Sequence, residues 1–201
     1  TFIIALREGL EAALIVGILV AYLVKSDQRS HLRALWSGVA LAVTASLAFG
    51  AFLSYTSAEL TEKGEELFAG TTSLVAVGLV TWMVFWMKRA ARGLRDELHG
   101  KAEVAVTSGA LSMATLALFA VAREGLETSL FLYTNFKTVG AFSTATLGLV
   151  LGLALAVGLG YGIYNRAVKI NLSKFFPYSG VALIVVAAGV LSYGIHEFKE
   201  F

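Results

Sequence analysis

Apolar residues run along this chain in six stretches of about 20, at about 2–24, 34–56, 67–87, 108–135, 142–165 and 176–196. Short polar links separate them, including 25–33, 57–66 and 88–103. A helix rises about 1.5 Å per residue, so about 20 residues cross the hydrocarbon core of a bilayer. The pattern predicts an all-α, polytopic membrane helix bundle with six spans. A signal segment does not explain the first run, because similar runs recur to the end of the chain. No link is long enough for a soluble domain, so residues 1–201 read as one transmembrane domain.

Composition agrees: 57% of residues are hydrophobic and 15% charged, with a mean hydropathy of +0.75. A soluble domain of this length carries far more polar surface. With no cysteine, disulfides and thiolate metal sites are excluded. A net charge of +2 gives no reason to expect nucleic acid as a partner; the partner implied is the lipid bilayer.

The distribution of charge says more than its sum. Of sixteen Lys and Arg, eleven fall in links 25–33, 88–103 and 166–174, whereas the opposite links and the C-terminal end hold only Lys63, Lys137 and Lys199. Basic links mark the cytoplasmic side, which places the N-terminus outside a cell membrane crossed several times. Trp36, Trp82 and Trp86 then fall near the inner ends of their spans, where interfacial tryptophans are expected. His31 and His99, in the basic links, read as solvated.

The two remaining basic residues are Arg7 and Arg123, each opening a copy of REGLE at 7–11 and 123–127. Each copy lies in the first span of a three-span set, about 1–100 and about 101–201. Three is odd, so the second set runs through the membrane inverted relative to the first, an arrangement that places transport sites near the midplane. Outside the motif the halves match loosely, as in GVALAVTASLAFG (38–50) against GLVLGLALAVGLG (148–160). Counting from Lys25 puts Glu11 about 21 Å from one boundary, and counting from Lys137 puts Glu127 about 15 Å from the other. Both therefore sit near the middle.

At about 100° per residue, Arg7, Glu8 and Glu11 share one arc of the helix while Gly9 points away, where it permits close helix approach. Arg123, Glu124, Gly125 and Glu127 repeat this geometry. A charge at a span's centre costs about 2.5–3.5 kcal/mol on insertion scales. Two Arg–Glu clamps that only fasten helices would leave a surplus carboxylate in each half, and surplus negative charge at the midplane wants a cation. Carboxylates without thiol or imidazole make a hard oxygen site, suited to Fe³⁺, Mn²⁺, Mg²⁺ or Ca²⁺ rather than Cu⁺ or Zn²⁺.

Paired intramembrane REGLE motifs, with LREGLEAALIVGILVAYL at 6–23, TWMVFWMKR at 81–89 and FAVAREGLETSLF at 119–131, resemble the oxidase-dependent iron permease family. The likeness covers essentially the whole chain and lies nearest the bacterial members. It implies a permease for ferric iron, with Fe³⁺ as cargo and no cofactor. On it Glu8, Glu11, Glu124 and Glu127 are the transport-site carboxylates, with Arg7 and Arg123 as charge partners. It also implies an iron-oxidising partner and an extracytoplasmic iron-delivery protein. Glu62, Glu65 and Glu66 match an outer acidic feature proposed to receive iron, although EKGEE (62–66) also reads as a plain solvated loop. The family typically has seven spans, so its seventh helix is expected to be absent here.

Two other readings remain open from the residues. One is a carrier for another hard or divalent cation. The other is a membrane di-iron carboxylate oxidase, but such bundles use Glu-x-x-His pairs and no histidine lies near either motif. GLGYG (158–162) lies inside a span with no strand before it and is no nucleotide loop. Gly148, Gly152, Ala156 and Gly160 instead form a small-residue stripe that admits a close neighbour helix.

Overall fold

The computed structural model describes residues 1–90, 93–139, 142–165 and 172–200; within these, the side chains of 59, 62, 86–90, 94–95, 137–139, 142, 172–174, 176–177 and 197–200 fall outside the description. The side chains of Glu62, Trp86, Lys137 and Lys199 thus lie outside the described set. The expected all-α class holds, with no strand among the described residues. The helices are α1 (Phe2–Lys25), α2 (Leu32–Glu59), α3 (Glu62–Ala90), α4 (Leu94–Ser108), α5 (Ala110–Val139), α6 (Phe142–Tyr164) and α7 (Leu172–Glu200). A short 3₁₀ turn at Arg29–His31 follows α1.

Among the described residues, four stretches are long and apolar enough to cross a membrane: Arg29–Ala58, Lys63–Phe85, Ser143–Tyr164 and Tyr178–His196. Helices α1 and α5 have the length, at 24 and 30 residues, but each carries the three charges of its REGLE motif. Six apolar runs were expected, and six long helices coincide with them; composition alone qualifies four.

Two expectations are corrected here. The link 88–103 is not simply a loop, because α4 occupies Leu94–Ser108. Its Leu98, Ala102 and Ala105 are buried at helical spacing, while Glu97 and Lys101 pair across one turn on the exposed side at 2.6 Å. The chain reverses into α5 at Gly109, whose φ of +100° suits only glycine. His99 is not merely solvated either: its ring lies 5.4 Å from that of Tyr22.

Helix pairing determines where the motifs go. The most extensive interfaces are α2 with α5, α1 with α6, and α3 with α7. The small-residue stripe of α6 is the docking surface of α1: Gly152 meets Phe2 and Ala5, Ala156 meets Gly9, and Gly160 meets Ala13. A methyl group added at Gly9 would approach Ala156 Cβ to 2.9 Å. The partners advance in the same direction, so α1 and α6 are parallel. Likewise α5 lies parallel to α2, with Gly125 against Ser46 and Ser129 against Gly50. The Ser129 hydroxyl lies 2.8 Å from the Ser46 carbonyl oxygen, adding a polar contact to that seam. Helices α3 and α7 run antiparallel, as Val84 meets Gly180 and Ser73 meets Gly194.

Two apolar clusters close the bundle. At the α4 end, Leu19, Leu23, Leu35, Leu98, Met113 and Ala117 pack together. At the other end, Ile4, Leu53, Val80, Phe131, Tyr133 and Leu183 do so.

Candidate metal site

The three charged residues of the α1 motif are all buried. Arg7 and Glu8 are each 1% exposed and Glu11 is 6% exposed. One turn of helix brings Arg7 onto both carboxylates. Its Nη1 donates to Glu8 Oε1 at 2.7 Å, and its Nη2 lies 3.0 Å from Glu11 Oε1 as an ion pair outside hydrogen-bond alignment. Nη1 also donates to Met83 Sδ, from α3, at 2.8 Å. Glu8 Oε2 and Arg7 Nε have no hydrogen-bond partner in the protein.

The motif of α5 repeats the sequence but not the environment. Glu124 is buried, at 6% exposed. Arg123 is 43% exposed at its side chain and donates from Nε to Glu127 Oε1 at 3.3 Å. Carboxylate oxygens of Glu8, Glu11 and Glu124 lie within 4.8 Å of one another. Three of the four expected carboxylates therefore converge, drawn from both motifs. Glu127 is not in that group; it lines a cavity of about 380 Å³ with Phe49, Leu53, Phe68, Thr72 and Leu126.

Glu62, Glu65 and Glu66 do not form a loop. They occupy the first two turns of α3, where a helix N-terminus favours negative charge. Ser57 donates to Glu65 Oε1 at 3.3 Å, and Glu66 Oε2 is buried. The side chain of Glu62 is outside the described set. These residues are separate from the buried cluster.

Sequence reasoning missed the contact of Met83 with Arg7: a methionine inside TWMVFWMKR reads as packing, and only the fold brings its sulfur to the guanidinium.

Three clustered, buried carboxylates beside one guanidinium carry surplus negative charge in an apolar bundle, so the arrangement suits a cation that comes and goes. Fold and site together define an integral membrane protein with a buried carboxylate centre. The whole chain, residues 1–201, matches the Iron permease FTR1 family, and it belongs to that family. It is accordingly a transporter, not an enzyme. It is 39% identical over 203 residues to "Ferrous iron permease EfeU" of Escherichia coli O6:H1 (strain CFT073), covering 99% of this chain and 73% of the relative. The proteins of the same name from Yersinia pestis and Yersinia pseudotuberculosis serotype I are each 39% identical over 202 residues, covering 99% of this chain and 71% and 70% of theirs. No solved structure matches.

Proposed function

We propose that this protein is an iron permease of the cytoplasmic membrane, passing iron through the buried Glu8–Glu11–Glu124 cluster between two inverted three-helix repeats. The observation that carries this reading is the convergence of those carboxylates from two separate helices to within 4.8 Å, beside a fully buried Glu8 oxygen that has no partner.

The contacts between helices support the inverted repeat. Matching REGLE to REGLE makes Gly9 the equivalent of Gly125 and Ala13 of Ser129; matching 38–50 to 148–160 makes Ser46 the equivalent of Ala156 and Gly50 of Gly160. Gly9 then meets Ala156 as Gly125 meets Ser46, and Ala13 meets Gly160 as Ser129 meets Gly50. The antiparallel α3–α7 pair maps onto itself. Six alternating spans are compatible with all three pairings, and the excess of basic residues in the links at the α4 end supports a cytoplasmic location for that end and an outside N-terminus.

The charge of the cluster favours Fe²⁺ as the ion seated there. With its groups ionised, Arg7 offsets one of three carboxylates and leaves two negative charges, which a divalent ion neutralises. The names of the relatives point the same way. The ferric reading has its own support in the oxygen donors and in the family resemblance, and it brings in an iron-oxidising partner and an extracytoplasmic iron-delivery protein. In either case Glu62, Glu65 and Glu66 gather cations at the mouth without forming the crossing point.

Uptake of radioiron into proteoliposomes containing the full chain tests this reading, with anaerobic Fe²⁺ in one arm and chelated Fe³⁺ in the other. Entry of Fe²⁺ that fails with Glu11→Gln is the expected result. Entry of Fe³⁺ alone would establish the ferric reading, and entry of neither would refute iron as cargo.

A further inference from the structure

We propose that the thioether of Met83 belongs to the ion site, joining Glu8, Glu11 and Glu124 as a donor and biasing the set toward Fe²⁺ over harder cations. This inference rests on the reading of the buried cluster as the iron site.

Three atoms hold the Arg7 fork: Glu8 Oε1 at 2.7 Å, Glu11 Oε1 at 3.0 Å and Met83 Sδ at 2.8 Å. A guanidinium only donates, so Glu8 Oε1 and Met83 Sδ meet it with lone pairs, while Glu11 Oε1 faces it as an ion pair outside hydrogen-bond alignment. Lone pairs that converge on one cation are placed to receive another that displaces it. Arg7 thus stands where these donors could receive an ion. An ion that pushes the fork aside inherits two carboxylate oxygens and the sulfur, with Glu124 within reach of both carboxylates. Glu8 Oε2, buried and unpartnered, offers a further oxygen.

Met83 suits this role in two other ways. It is 3% exposed, so little water competes for its sulfur. Its unbranched side chain can also follow an ion of changing position. A thioether is soft and neutral. It favours a transition ion such as Fe²⁺ over Mg²⁺, Ca²⁺, Mn²⁺ or Fe³⁺, which oxygen alone serves well. It adds no charge, so a divalent ion still balances the cluster.

Sulfur sources in the chain are few, with no cysteine and three methionines. Met113 lies in the apolar cluster at the α4 end and serves as a control.

The test is iron K-edge X-ray absorption on the full chain in nanodiscs, loaded anaerobically with Fe²⁺. The wild-type spectrum is expected to contain a sulfur shell beside the oxygen shell. That shell should vanish in Met83→Leu, a nearly volume-conserving change, and persist in Met113→Leu. In proteoliposomes, Met83→Leu should lose preference for Fe²⁺ over Mn²⁺ by roughly tenfold, the low end of what losing a supporting group does to a metal site. Retained Mn²⁺ uptake would show that the variant is folded. Bound Fe²⁺ with an oxygen-only shell in the wild type would overturn the role of Met83 and leave the iron reading standing, without recourse to any variant. A wild type that neither binds nor carries Fe²⁺ would overturn both.

Discussion

Gly125 of α5 lies so close to Ser46 of α2 that a methyl group at 125 would overlap the serine side chain. Gly9 stands in the same relation to Ala156 of α6, whereas Gly17 has nothing within 4 Å. Overpacking a tight seam typically destabilises by about 1–3 kcal/mol, while glycine to alanine in an open helix position stabilises by up to about 1 kcal/mol. Gly9→Ala and Gly125→Ala are therefore expected to lower the melting temperature of the detergent-solubilised chain, and Gly17→Ala to leave it unchanged or raise it. Equal behaviour of all three would mean that the seams are looser than drawn.

The carboxylates should divide three to one. Glu8, Glu11 and Glu124 cluster within 4.8 Å, whereas Glu127 faces the side cavity and pairs with Arg123. Replacing any of the three with Gln keeps the shape but removes a charged donor, and uptake should fall to background with normal membrane abundance. Glu127→Gln should instead retain measurable uptake. Initial-rate assays on the four variants decide this, and total loss with Glu127→Gln would place it back among the ligands.

Much of this was legible in the sequence because hydrocarbon-length runs impose helices of a fixed size, and a repeated charged pentapeptide inside such runs has few explanations. The α6 stripe announced its partner, because small residues at i+4 steps leave a groove that another helix must fill. Helix α4 was missed although Leu98, Ala102 and Ala105 carry a helical period, because charges dominate that stretch and hide its buried side. Identical pentapeptides could not reveal that Arg7 would be sealed and Arg123 half open. Met83 of α3, whose sulfur accepts from Arg7, is part of that difference.

Orientation can be measured directly. Thr61, at the turn between α2 and α3, and Gly100, on α4, are both exposed. Basic links predict that the first faces outward and the second the cytoplasm. Thr61→Cys should react with an impermeant maleimide on intact cells, and Gly100→Cys only after permeabilisation. The chain has no cysteine of its own, so background labelling is absent. Labelling of both from one side would overturn the alternation of spans and the inverted repeat with it.

The two arginines provide the sharpest contrast, because the sequence makes them equivalent and the structure does not. Arg7 is 1% exposed and holds Glu8 and Glu11 at 2.7 and 3.0 Å. Removing one member of a buried ion pair leaves the others charged without compensation, a loss of about 3–5 kcal/mol. Arg123 is 43% exposed and meets Glu127, itself 12% exposed, at 3.3 Å; water reaches that guanidinium and screens its loss more than in a sealed pair. Arg7→Gln should therefore reduce membrane abundance and melting temperature more than Arg123→Gln does. Arg7→Lys keeps the charge but not the planar fork that reaches two carboxylates and a thioether together. It is expected to restore abundance without restoring full uptake, which separates the role of Arg7 in stability from its role in the site. The measurements are surface abundance, thermal stability and initial uptake rate for the three variants side by side. Equal loss of stability in Arg7→Gln and Arg123→Gln would mean that both motifs are equally buried, and that the asymmetric site drawn here is wrong.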